Sequence, residues 1–128
     1  MNCYLCNGIS ESMKTEMMKQ ISYNLSESEF IELIEKVPYI SCIGHYALAD
    51  YLSILTGRDI VYANRGITVN SDDLIILVNM RGRLPEKPTR VEYRSRLMYK
   101  LIRFEKQSLD DLKKSQDILE ELLCGVEA

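Results

Sequence analysis

Apolar positions along the chain follow two rhythms, one of strands and one of helices. Cys3, Tyr4, Leu5 and Cys6 run without a polar break and stop at Asn7 and Gly8, a turn-forming pair, which predicts a short buried strand. From Ser10, a good helix N-cap, Met13, Met17 and Met18 recur at helical spacing, which predicts an amphipathic helix to about Gln20. ISYNLS then alternates apolar and polar residues, as a half-buried strand does. In SESEFIELIEKV, Phe30, Ile31, Leu33 and Ile34 gather on one side, with Glu32, Glu35 and Lys36 mostly on the other. Ser26 or Ser28 can cap this helix and Pro38 closes it.

The run YISCIGHY is continuous and apolar until Gly44, after which the period changes. In HYALADYLSILTG, Leu48, Leu52 and Leu55 share one helix face and Gly57 stands at the C-terminal stop. His45 therefore falls where a buried strand hands over to a helix. RDIVYAN predicts a strand, NRGITVNSDD a connection, and LIILVNM a central strand apolar on both faces. Arg81, Gly82, Arg83, Leu84, Pro85 and Glu86 read as a loop, LMYKLIRFEK as a further strand, and SLDDLKKSQDILEELL as a capped terminal helix. Strands interleaved with helices predict an α/β fold in which a largely buried sheet is covered by helices.

Composition narrows this picture. A chain of 128 residues with 46% hydrophobic and 27% charged residues fits one domain of ordinary make-up, with neither a repeat nor a low-complexity linker. The formal charge of −3 gives no basic field for long DNA or RNA, so any anionic ligand must be held by a local cluster. The start, MNCYLCNGIS, lacks the pattern of a secretory signal, and no segment approaches the about eighteen apolar residues of a membrane span. The expected location is the cytoplasm, where the four cysteines stay reduced.

The chain has one histidine, and its place decides what chemistry is available. A helix N-terminus offers unpaired N–H groups and a positive dipole end, a ready site for phosphate, and His45 can touch the same phosphate. A bound phosphodiester favours the protonated ring, so His45 becomes a proton donor when substrate arrives. Two other readings compete: a structural histidine, and a zinc site. Cys3-x-x-Cys6 and Cys42-x-x-His45 have the ligand types and pair spacings of a Cys3His zinc centre, although both pairs lie in apolar, strand-like runs. Cys3-x-x-Cys6 is a weaker redox pair, being at a strand start where no helix N-terminus stabilises a thiolate. Arg65, Arg81 and Arg83 follow or end strands and carry the fork that fits phosphate oxygens, or else are solvated loop charges. Glu86 either pairs with Arg83 or orients a reacting hydroxyl. The three methionines read as core, Cys124 as helix packing, and the Asp110, Asp111, Lys113, Lys114 run as a solvated face.

Taken together, a strand ending NGIS, then ISCIGHYALADYLSILTG, then ANRG and GRLPE, resembles the viral anti-CRISPR ring nucleases, which degrade cyclic tetra-adenylate, the second messenger of type III CRISPR defence. The likeness covers roughly residues 3 to 105. It implies a single-domain mixed β-sheet flanked by α-helices over residues 1–107; the C-terminal helix expected over residues 108–128 of the same domain is an addition to the family pattern. It implies a homodimer that switches off CRISPR signalling, in a host cytoplasm if a virus encodes it. By the family pattern His45 is the general acid, Arg83 and Glu86 stand beside it at the scissile phosphate, and Asn7, Ser10, Gly44 and Arg65 contact the ligand. NGIS replaces the more usual Asn-Ala-Phe-Ser of the family.

The implied reaction needs neither a metal nor a cofactor. RNA carries its own nucleophile, the ribose 2'-hydroxyl, which the protein holds in line with phosphorus while His45 protonates the departing 5'-oxygen. Arg83 and the helix N–H groups hold the charge that builds on phosphate, giving linear di-adenylate with a 2',3'-cyclic phosphate. Two further functions remain open from sequence: a non-catalytic binder that sequesters the cyclic nucleotide through the same arginines, and an interaction protein stabilised by zinc on Cys3, Cys6, Cys42 and His45.

Overall fold

The computed structural model describes residues 2–9, 18–82, 88–106 and 117–123. Its centre is a five-stranded sheet of β1 (Cys3–Cys6), β2 (Met18–Leu25), β3 (Ile40–Cys42), β4 (Leu74–Met80) and β5 (Leu97–Lys106), in the order β2-β5-β4-β1-β3. β1 lies parallel to both β3 and β4, whereas β5 is antiparallel to β4 and to β2. The sheet is therefore mixed, and β1, β3 and β4 all deliver their carboxyl ends to the same edge.

Both faces of the sheet are buried at β1 and β4, which explains their uninterrupted apolar runs. On one face Leu5, Ile76, Val78 and Tyr99 pack with Phe30 and Ile34 of α1 (Glu27–Lys36), with Leu48, Tyr51 and Leu52 of α2 (Tyr46–Thr56), and with Tyr93 of α3 (Arg90–Arg96). On the other face Tyr4, Cys6, Cys42, Ile75, Leu77, Ile102 and Phe104 pack beneath Val69 and Ile67 of the loop before β4. Aromatic rings organise the helical side: Phe30 stacks on Tyr99 with ring centroids 4.3 Å apart, and Tyr51 on Tyr93 at 4.9 Å.

The helix ends follow the local chemistry. Ser26 accepts from the backbone N–H of Glu29 at 3.1 Å while Glu29 accepts from the N–H of Ser26 at 2.9 Å, a complete capping box at the start of α1. α2 ends at Gly57, whose φ of 70° lies in the left-handed region that glycine occupies without strain. Buried Asp73 accepts backbone N–H groups from Asn2 and Asn70, each at 2.9 Å, and so ties the starts of β1 and β4 together. Its carboxylate is a structural acceptor.

Three expectations change. The helix expected to reach Gln20 does not include Met18, Lys19 and Gln20, which pair with Lys106, Glu105 and Phe104 as the first residues of β2; Ser10, Met13 and Met17 lie outside the described residues. RDIVYAN is not a strand: it makes one parallel bridge, Ile43 to Tyr62, and otherwise runs as irregular chain. α3 was not foreseen, since RVEYRSR is short and mostly polar; Thr89 and Glu92 form a capping box that starts it. Of the terminal segment, residues 117–123 are helical and hold Ile118, Leu119, Leu122 and Leu123 outward; Cys124 and the 110–114 charge run lie outside the described residues. Among those described, no helix is long and apolar enough to cross a membrane.

Candidate functional site

The carboxyl ends of parallel strands are where open α/β sheets bind ligands, because the strands end together and the following loops diverge. Here β1 ends at Cys6 and places Asn7 on that edge, β3 ends at Cys42 and leads through Ile43 and Gly44 into His45, and β4 ends at Met80 and leads into Arg81 and Gly82. Asn7 and Gly44 are joined directly, the Gly44 N–H donating to Asn7 Oδ1 at 3.2 Å. A Cβ placed on Gly44 would lie 3.4 Å from Asn64 Oδ1 and 3.9 Å from Asn7 Oδ1, so two carboxamides close over this glycine from two loops. The loop carrying Asn64 is held in place by Ala63 N–H donating to Ile43 O at 2.9 Å and Ser41 Oγ–H donating to Val61 O at 2.6 Å.

His45 is the N-cap of α2. Its backbone is extended, and its ring accepts at Nδ1 from the N–H of Leu48 at 3.2 Å, the role that serine or asparagine usually fills. A ring that accepts at Nδ1 carries its hydrogen at Nε2. His45 is exposed, outside the hydrophobic interior, and helix geometry leaves the N–H groups of Tyr46 and Ala47 without intrahelical acceptors beside it. The first turn of α2 contains no acidic residue, so the helix itself offers no carboxylate to compete with an incoming anion.

Arg65 is exposed on the same loop as Asn64, with its N–H donating to Ala63 O at 3.0 Å. Burial raises the Cys42 thiol at the end of β3, and the Cys6 thiol and then the Arg65 cation partly offset that rise. Arg81 leaves β4 at the same edge, its guanidinium donating to the Met98 sulfur at 3.8 Å. The structure thus brings Asn7, Gly44, His45 and Arg65 to one end of the sheet. Ser10, Arg83 and Glu86 lie outside the described residues.

The cysteines divide between the two faces of the sheet. Residues three apart on a strand point to opposite sides, and accordingly Cys3 packs with the helical core while Cys6 and Cys42, adjacent in register, pack on the other face. Cys3 and Cys6 cannot ligate one ion, and His45 is turned onto the backbone of its own helix, so the Cys3, Cys6, Cys42, His45 zinc arrangement is not formed. Among the described residues no group of three His, Cys, Asp or Glu side chains could hold a metal. Burial pushes the Cys3 thiol up to about 11 and the Cys6 thiol up to about 12 from an ordinary 9.0, the latter helped by Cys42. The unfolded chain therefore releases these protons first. Stability is expected to be unaffected by the thiols below pH 9 and to fall as pH rises from 9 toward 12. Alkylation at pH 8 checks the same burial: Cys3 and Cys6 should react with iodoacetamide at least about tenfold more slowly in the native protein than in urea.

Two residues that sequence reading passed over complete the edge. Tyr46, the first residue of α2, is 70% exposed, and its ring stacks on Tyr62 with centroids 3.8 Å apart and planes at 14°. Asn64 is the other; it precedes Arg65 in the ANRG motif.

Comparisons with known proteins agree with this architecture. The sequence model of the STIV B116-like family matches residues 3–109, which leaves the terminal helix outside the match. B116 of Sulfolobus turreted icosahedral virus is a structural match, with a TM-score of 0.68 at 18% identity, over 80% of this chain and 98% of that one. At that identity the likeness concerns the fold. No curated protein matches. With the family model spanning most of the chain, the protein belongs to the STIV B116-like family.

Proposed function

We propose that the protein is a metal-independent ring nuclease that cleaves cyclic oligoadenylate, most readily cyclic tetra-adenylate, and so switches off type III CRISPR signalling. The observation that carries this reading is the convergence of Asn7, Gly44, His45 and Arg65 on the carboxyl edge of the parallel strands, around a helix N-terminus whose side-chain cap is the His45 ring itself. Such an edge offers backbone N–H groups, carboxamides and a guanidinium to a phosphodiester, with an imidazole at hand. The chain leaves β4 at the same edge through Arg81 and Gly82, and Arg83 and Glu86 come next in the sequence.

The N-cap geometry gives the proposal a specific order of events. While Nδ1 of His45 accepts from Leu48, the ring cannot also hold a proton there. A phosphate oxygen arriving at the helix N-terminus takes over the Leu48 N–H, releasing the ring. The freed Nδ1 takes a proton, and the imidazolium passes its Nε2 proton to the 5'-oxygen as that oxygen leaves phosphorus. The 2'-hydroxyl gives its proton to solvent, matching the one the ring took up, and its oxygen bonds to the same phosphorus as the P–O5' bond breaks, so each cut leaves a 2',3'-cyclic phosphate and a 5'-hydroxyl. A cyclic tetranucleotide has two-fold symmetry, and a homodimer would meet its opposite phosphodiesters with duplicated sites.

The test is incubation of the purified protein with cyclic tetra-adenylate in excess chelator, followed by chromatography. The expected result is linear di-adenylate ending in 2',3'-cyclic phosphate. The same cap supports one second reading, a binder that holds the ring uncut because His45 stays on Leu48; intact cyclic tetra-adenylate recovered from a tight complex would establish that reading. Neither cleavage nor binding would remove both.

A further inference from the structure

We infer that Tyr46, backed by Tyr62, is a stacking platform for a nucleobase, and hence the purine-recognition element of the site; this rests on the nucleotide-binding reading given above. The inference comes from what the ring does and does not bury. A tyrosine that is 70% exposed contributes little to the core. Yet Tyr46 is not a loose surface side chain: one face of its ring lies flat on Tyr62, at a centroid distance of 3.8 Å and an interplanar angle of 14°. The other face points away from that support. A ring already held by a parallel partner loses little conformational freedom when a third ring is laid on it, so the pair is preorganised for a flat ligand.

Position ties the platform to the candidate chemistry. Tyr46 follows His45 directly as the first residue of α2, and Tyr62 belongs to the segment that continues through Asn64 to Arg65. The bridge from Tyr62 to Ile43 fixes that segment to the strand leading into His45. Phosphate recognition and base recognition thus rest on the same two chain segments. Aromatic side chains accept any base by its π-face, and the gain is largest for purines, whose two fused rings cover more of the platform.

Tyr46 is a binding residue in this proposal and takes no part in proton transfer. Stacking holds the substrate equally before and during cleavage, so its loss should raise KM and leave kcat within about threefold of wild type. Three exchanges separate the π-face from mere cover. Tyr46→Phe keeps the ring and should bind cyclic tetra-adenylate as wild type does. Tyr46→Leu and Tyr46→Ala remove the ring and should weaken binding by about 5- to 150-fold, as the loss of one stacked base does elsewhere. Binding is measured by calorimetric titration in a His45→Asn background, where the ring stays intact, and thermal unfolding of each variant reports on the fold. Wild-type affinity in a folded Tyr46→Leu variant overturns the platform and leaves the ring-nuclease reading standing. Failure of the parent protein both to bind and to cleave cyclic tetra-adenylate overturns the two together. Loss of kcat with unchanged KM would move Tyr46 out of base recognition, and so also counts against the proposal.

Discussion

Replacing His45 by alanine is expected to lower the rate of cyclic tetra-adenylate cleavage by about 10²- to 10⁴-fold, the usual worth of one general acid. That exchange alone is ambiguous, because His45 also caps α2 through Leu48. Loss of a helix N-cap costs on the order of 1 kcal/mol and loosens the turn proposed to meet the phosphate. His45→Asn resolves the two roles. Asparagine accepts from the same N–H and keeps the helix start, but has no proton to give. The asparagine variant should therefore melt close to wild type while cleaving as poorly as the alanine variant. Near-wild-type turnover by His45→Asn would show that the imidazole donates no proton in the reaction. A further difference is expected in binding: the asparagine variant should retain affinity for the uncut ring, since Asn7, Arg65 and the helix N–H groups are untouched.

The largest loss of stability is expected at Phe30. This ring is wholly buried, stacks on Tyr99 and joins α1 to β5 on the helical side of the sheet. Phe30→Ala removes apolar burial and leaves a cavity that α1 can only partly fill, at a cost of about 3–5 kcal/mol. Domains of this size are stable by roughly 5–15 kcal/mol in all, so a large share of the total goes. Urea denaturation should show a much lower midpoint with an unchanged slope, and Phe30→Leu should recover more than half of the loss. A destabilisation below about 1 kcal/mol would mean that α1 does not pack on β5 as described. Tyr99 offers a check on the same contact, because its buried hydroxyl finds no hydrogen-bond partner among the described residues.

The parts of the fold that were legible in the sequence are those where burial and local chemistry agree. β4 reads as a strand buried on both faces, and it is flanked by β1 and β5. α1 and α2 carry both an apolar face and their own start and stop residues, Ser26 and Pro38 for one, His45 and Gly57 for the other. The misreadings arise where tertiary pairing overrides local pattern. Met18 has helical spacing from Met13 and Met17, but eight residues of β5 offer hydrogen bonds to the chain from Met18 onward, and the ladder wins. Apolar residues in RDIVYAN suggest a strand, yet Ile60 is consumed in the core and Tyr62 in stacking, so one bridge is all that forms. α3 depends on Thr89 and Glu92, a capping signal present in the sequence whose helix is too short to show a period.

At the site, Asn7, Gly44 and His45 could be placed because each closes a strand or opens a helix. The convergence of Asn64 and Tyr62 on them could not, since both sit on irregular chain whose course is set by contacts with β3 rather than by its own pattern. The zinc reading failed for a related reason: spacing along a strand says nothing of which face each thiol takes until alternation is applied, and alternation puts Cys3 and Cys6 on opposite sides.

The capping role of His45, together with the catalytic role proposed for it, also bears on descent. An enzyme whose proton donor is an isolated side chain can lose it with no trace in the architecture, whereas here a random replacement damages the scaffold as well. Serine, asparagine and aspartate are the substitutes that keep α2 anchored. Under the mechanism proposed above, a family member bearing one of these at the position of His45 would keep the fold and lack the proton donor.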